Sequence, residues 1–171
     1  MNQARGRGLL CALLLAGCID LGDDPRVDVT GTYRVDTYLE SACAQDQPSI
    51  GSFDRIEVAP SGADIVLRTC YLGLSTCLPD EGERLRAEPT IGTWTADVVT
   101  AKAGPVSEGQ RCFLSRTTSR VDISAAHLRR ETTDYSVVEL DVSSCTEARA
   151  RELAPQMPCV KHAIVDATAV R

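Results

Sequence analysis

Apolar and polar residues alternate along residues 29–39. Val29, Tyr33, Val35 and Leu39 share one face, with Arg34 and Asp36 on the other. A period of two is the mark of a half-buried β-strand. Residues 53–58 and 64–69 repeat that character on either side of Pro60-Ser61-Gly62, a hairpin turn signal. Residues 71–89 lose the alternation and read as a long loop, with Pro79-Asp80-Glu81-Gly82-Glu83 as an exposed turn. Residues 91–100 form a further strand with Trp94, Ala96 and Val98 on one face, and residues 101–109 read as a loop. Residues 111–124 make one long strand or two short ones, and residues 128–142 a long polar-rich strand with room for a bulge.

After residue 142 the period changes. Ser144-Cys145-Thr146-Glu147 fits a capping box, with Ser144 as N-cap and Glu147 reaching back. A short helix over residues 148–154 is stopped by Pro155 and Pro158. Residues 160–170 read as a last strand. The expected fold is mainly β: an antiparallel barrel or sandwich of about eight strands, with one short helix near the C-terminus.

The first residues follow a different logic. Arg5 and Arg7 precede an apolar run over residues 9–16, which ends in Leu15-Ala16-Gly17-Cys18. Eight apolar residues are too few to cross a bilayer core, which needs about 20 in a helix. The layout is that of an export signal, and its last four residues resemble the lipobox of bacterial lipoproteins. The resemblance implies cleavage before Cys18 and a diacylglyceryl thioether on Cys18, with a third acyl chain on its amine in many bacteria. Two or more acyl chains anchor stably, where one holds marginally. With Ile19 and Asp20 after the cysteine, the family's sorting logic leans toward the outer membrane. An ordinary secretory signal cut near Gly17 would leave Cys18 a plain thiol. Residues 1–17 are thus expected to be a signal peptide. Residues 18–26 are a lipidated cysteine with a short acidic tether, and residues 27–171 a single β domain. Asp20, Asp23 and Asp24 in the tether read as a solvated acidic linker rather than as a calcium site.

The formal charge is −6, and losing residues 1–17 removes two arginines and no acid. An acidic body argues against nucleic acid and against anionic lipid surfaces as partners. Of eight cysteines, Cys11 falls in the signal and Cys18 at the anchor. Cys43, Cys70, Cys77, Cys112, Cys145 and Cys159 remain, an even set suited to three disulfides in an oxidising compartment. Fifteen pairings are open to six cysteines. Proximity favours Cys70 with Cys77 and Cys145 with Cys159, leaving Cys43 with Cys112. A zinc site would need close pairs such as CxxC, which the sequence lacks. Aromatics make up only 4% of residues, so a core must rest on Val, Ile, Leu and Ala.

Gly31-Thr32-Tyr33 opens the first strand, and Gly92-Thr93-Trp94 a later one. These openings resemble the Gly-x-Trp signature of lipocalins, across roughly residues 27–170. The resemblance implies an eight-stranded antiparallel barrel with a C-terminal helix, and an apolar ligand inside. Tyr33 or Trp94 would then plug the closed end; the alternative is two ordinary core aromatics.

Catalytic signatures are missing from the sequence. His127 and His162 stand alone, outside any HExxH motif, and neither a Gly-x-Ser-x-Gly elbow nor a Gly-rich phosphate loop occurs. His127 reads as a turn residue and His162 as an outward position on the last strand. Arg129-Arg130-Glu131 is either an anion contact or a paired strand face. Arg111, Arg116 and Arg120 either line a polar interior or lie on an exposed face. The expected protein is a noncatalytic envelope lipoprotein without cofactor or metal, held to the membrane by Cys18. Its β domain binds an apolar small molecule in lipocalin fashion, or contacts envelope proteins without a small ligand.

Overall fold

In the computed structural model, residues 29–43, 47–48, 53–73, 77, 82–106 and 109–170 are described. Nine strands run in chain order: β1 Gly31–Ser41, β2 Gln47–Pro48, β3 Phe53–Ser61, β4 Asp64–Tyr71, β5 Glu83–Ala87, β6 Thr93–Val106, β7 Gly109–Ile123, β8 His127–Glu139 and β9 Cys159–Ala169. One helix, α1 Glu147–Leu153, lies between β8 and β9. Each strand from β3 to β9 pairs antiparallel with the next, and β1 pairs with both β3 and β9. The result is a closed eight-stranded antiparallel barrel, with the two-residue β2 added beside the end of β1. Closure leaves no long sheet edge around the core, which suits a chain poor in large aromatics.

The period-two pattern builds the interior. Tyr33, Ile56, Val58, Ile65, Leu67, Leu85, Trp94, Val121, Ile123, Leu128, Val165 and Ala167 are buried together inside the ring, with Val29 beside them. Tyr33 is 2% and Trp94 3% exposed, so both are core side chains. The Tyr33 hydroxyl donates to the Val29 carbonyl at 3.0 Å, with the Ser124 carbonyl at 3.2 Å as a second acceptor. That places Tyr33 at the end of the barrel where the short turns lie. We call this the closed end and the opposite one the mouth. Tyr38 and Phe53 meet edge to face on the mouth side, with ring centroids 5.2 Å apart.

Gly92 has a specific task in the closed end. Its φ is +82°, and a Cβ there would stand 2.8 Å from the Ile123 carbonyl oxygen. Its own carbonyl accepts from Ile123 N–H at 2.7 Å. Alanine at Gly92 combines a left-handed backbone with a backbone clash, and should destabilise by more than about 1 kcal/mol. Gly62, at φ +69° with open space around it, gives the control. Gly62→Ala should be the milder of the two in a urea melt, and equal midpoints would contradict the clash.

Strands β6, β7 and β8 are the longest and continue past the core as a three-stranded tongue. There the burial changes face. Val99, Ala101, Cys112, Leu114, Tyr135 and Val137 lie on the outer side, and Ala150, Leu153 and Met157 pack against them. Helix α1 therefore seals the outside of the tongue. Thr146 caps it, its hydroxyl accepting from Arg149 N–H at 3.2 Å. The Arg149 guanidinium ties it to Glu139 on β8 at 2.8 Å.

Several expectations are corrected. Residues 71–89 are not wholly loop, since β5 lies within them. Residues 101–109 carry the end of β6 and the start of β7; of the two readings of residues 111–124, the single long strand holds, running to Ile123. A bulge between Val35 and Thr37 turns Tyr38, not Leu39, toward the core. The cap is Thr146, because Ser144 belongs to a 3-10 turn over Val142–Ser144. Cys70–Cys77 is bonded as expected, but the other pairs are Cys43–Cys159 and Cys112–Cys145. Cys112 points to the outer side, where the chain leading into α1 passes. Cys159 opens β9 beside the end of β1, which brings it to Cys43. All three disulfides fall at the mouth end. The closed end holds by packing and short turns, and the mouth by covalent ties.

Candidate functional site

The lumen changes character along its length. Above the apolar core, the pleat turns Ser119, Arg130, Thr132, Thr117, Asp134 and Lys161 inward, as the register with Val121 and Ala163 requires. Arg130 pairs with Glu83 of β5 at 2.6 Å. Thr117 donates to Asp134 at 2.7 Å. Lys161 pairs with Glu40 at 2.7 Å, and Tyr38 also donates to Glu40. Lys161 and Tyr38 hold the Glu40 carboxyl below its ordinary value, while Glu40 raises Lys161. Burial, with Glu40 next, raises the Tyr38 phenol. Trp94 Nε1, Ser119 Oγ and Arg130 Nε are buried without a hydrogen-bond partner, and all three belong to neighbouring rows of this inner face.

On the outer face, side chains alternate in sign across the strands. Arg129 meets Asp166 at 3.0 Å, Arg120 meets Asp122 at 3.2 Å, and Arg116 meets Asp97 at 2.7 Å while lying 5.8 Å from the Tyr135 ring. Where short β5 leaves β6 uncovered, an open groove of about 1080 Å³ runs from this lattice into the lumen, walled by Arg84, Arg86 and Arg120 outside and by Ala96, Val98 and Ser119 inside. Arg86 is exposed and has no ion-pair partner among the described residues.

Facing the mouth, the inner side of the tongue is open and mostly polar, with Thr100, Lys102, Arg111, Ser115 and Ser136 around an exposed apolar pair. Phe113 and Val138 are cross-strand neighbours, and Val98 lies further along the same face. All three are exposed, Val98 at 45% and Val138 at 49%. Gly104 gives the Phe113 ring its place, since a Cβ there would come 3.2 Å from the ring.

The residues singled out in the sequence are dispersed by this geometry. Cys18 lies outside the described residues, as do residues 1–17 and the tether. Arg129 and Glu131 face outward, while Arg130 between them faces the lumen, as a period of two demands. Glu131 meets His162 at 3.0 Å, and His127 opens β8 at the closed end, so the two histidines do not converge. Arg116 and Arg120 share the outer face; Arg111 falls on the inner one. Glu57 lies against Cys70 and Cys77. With those sulfurs bonded to each other, the cluster offers one carboxylate and no thiolate. The inner-face pair Glu83 and Arg130 was not foreseen, because β5 was not.

The carboxylates make an acid-range prediction. Arg116 holds Asp97 below its ordinary value of 3.8, Arg120 and then Thr93 do so for Asp122, and Arg149 lowers Glu139 below 4.5. Hydrogen bonding from Thr168 lowers Asp36 as well. A carboxyl depressed in the folded state adds stability that is fully present above its unfolded pKa, and that stability is lost as pH falls through the folded value. Urea midpoints should be level from pH 7 to about 5, then fall steeply below about pH 4. A flat acid limb would contradict these pairings.

No family model matches the chain, and neither a curated protein nor a solved structure matches it.

Proposed function

We propose that the chain is a lipid-anchored envelope protein whose barrel is a noncatalytic platform for a protein partner. The observation that carries this reading is the contrast between an apolar lumen packed beneath a polar, ion-paired upper part and an uncovered apolar pair, Phe113 and Val138, on the tongue. An apolar-ligand carrier needs a roomy apolar lumen. Here the apolar inner side chains pack against one another, and the space above them is lined by ion pairs. An exposed group of large apolar side chains rimmed by polar ones is the usual character of a protein-contact surface. Phe113 and Val138 form such a pair, rimmed by Lys102, Arg111, Ser115 and Ser136. Anchoring is compatible with the geometry: Val29 enters at the closed end, opposite the tongue.

Three measurements test the reading. Acyl labelling of the full chain should be lost in Cys18→Ala, and retained label refutes the anchor. Native mass spectrometry should find the polypeptide without a stoichiometric apolar small molecule, and such a molecule would restore the carrier reading. A photo-cross-linking residue at position 113 in intact cells should give one discrete protein adduct that position 84 does not. A silent position 113 would remove the tongue as the contact face.

A further inference from the structure

We propose that Cys43–Cys159 is a thiol–disulfide exchange site, opened by a dithiol partner while the other two disulfides stay closed. Three features separate it from the rest. The first is access. Cys43 is exposed, Cys159 and Cys145 are half-buried, and Cys70, Cys77 and Cys112 are buried. An attacking thiolate must reach a sulfur in line with the S–S bond, and only this bridge contains an exposed cysteine among the described residues. The second is backbone conformation. Cys43 has φ +64°, in the left-handed region that side chains other than those of Gly, Asn and Asp seldom occupy. Cutting the bridge frees residue 43 to leave that conformation, which favours the reduced state. Exposed or strained disulfides are the labile ones.

The third feature is position. Strands β1 and β9 close the barrel, and their ladder ends at Ser41 opposite His162. Cys43 and Cys159 lie just beyond that last pair and clamp the seam at the mouth, across a sequence separation of 116. The Cys70–Cys77 bridge spans only 7 residues within one side of the mouth, and Cys112–Cys145 holds α1 to the tongue. The exposed bridge is therefore the one whose opening loosens the ring without undocking the helix.

The exchange balances in two steps. A thiolate of the dithiol attacks Cys43 Sγ; the S–S bond breaks, and Cys159 leaves as a thiolate that takes a proton from water. The second thiol then attacks the mixed disulfide, which releases Cys43 as a thiol. Two electrons have passed to the protein, and the dithiol ends as a disulfide.

Graded dithiothreitol on the oxidised full chain, followed by acid quench, differential alkylation and peptide mapping, tests the proposal. Cys43 and Cys159 should become labelled together at a reductant level about tenfold below that needed for the other four cysteines. Hydrogen exchange should rise in residues 38–41 and 159–164, with the closed end unchanged. A Cys43→Ala/Cys159→Ala variant should show that raised exchange before any reductant is added, and lack the early labelling step. Simultaneous reduction of all three bridges, earlier reduction of either other pair, or loss of protection throughout the barrel overturns the assignment.

Discussion

Leu85→Ala is expected to lower the unfolding free energy by about 2–5 kcal/mol. Leu85 is fully buried and is the central residue of β5, the shortest strand of the ring. That strand joins β4 through three register pairs and β6 through only two, Arg86 with Thr95 and Ala87 with Trp94. Few backbone bonds hold it, so its one deep side chain must do so. Removing that side chain leaves a cavity beside Ile65 and also loosens the ring where it is thinnest. Trp94 is the only tryptophan in the chain and adjoins this strand, so it reports the change directly. The urea midpoint should fall, and acrylamide should quench native Trp94 more readily. An unchanged midpoint would mean that β5 contributes nothing to closure.

Loss of the Cys112–Cys145 bridge should be comparable. Closing a loop of 33 residues restricts the unfolded chain by about 3–4 kcal/mol in the chain-entropy description. Cys112 is fully buried among Leu114, Ala150 and Met157, so the double replacement Cys112→Ala/Cys145→Ala also thins the packing beneath α1. Hydrogen exchange should show α1 and the tongue opening first, with the core around Tyr33 and Val121 still protected. If both regions lose protection together, the two cores are one cooperative unit.

Strand character was legible wherever one face is buried: the alternation around Tyr33, Ile56, Leu67 and Trp94 follows from the pleat alone. It failed where burial does. Glu83-Arg84-Leu85-Arg86-Ala87 has a single fully buried residue among three charges, so β5 looks like loop. Gly104 and Pro105 look like breakers, yet the end of β6 is an edge. There, β5 reaches only Trp94 and Thr95, and proline is tolerated where its missing N–H would face away from a ladder. The bulge at Val35 and Thr37 has no local signature, so strict alternation puts Leu39 on the wrong face. Cysteine pairing depends on which strands meet at closure, and β1 meets β9 only through the whole meander. The opposed faces of Arg129 and Arg130 were readable from the period of two. The Glu83 partner of Arg130 was hidden with β5.

The seating of β1 has a mechanical consequence. β1 lies between β3 and β9, enters from the closed end, and is bonded at its far end through Cys43 to Cys159. A pull transmitted through residue 29 runs along the strand, at right angles to hydrogen bonds on both flanks. Those bonds are loaded in shear, all together, and cannot unzip one by one. The covalent bridge then stops β1 from sliding out. The barrel is thereby built to resist tension between residue 29 and the tongue.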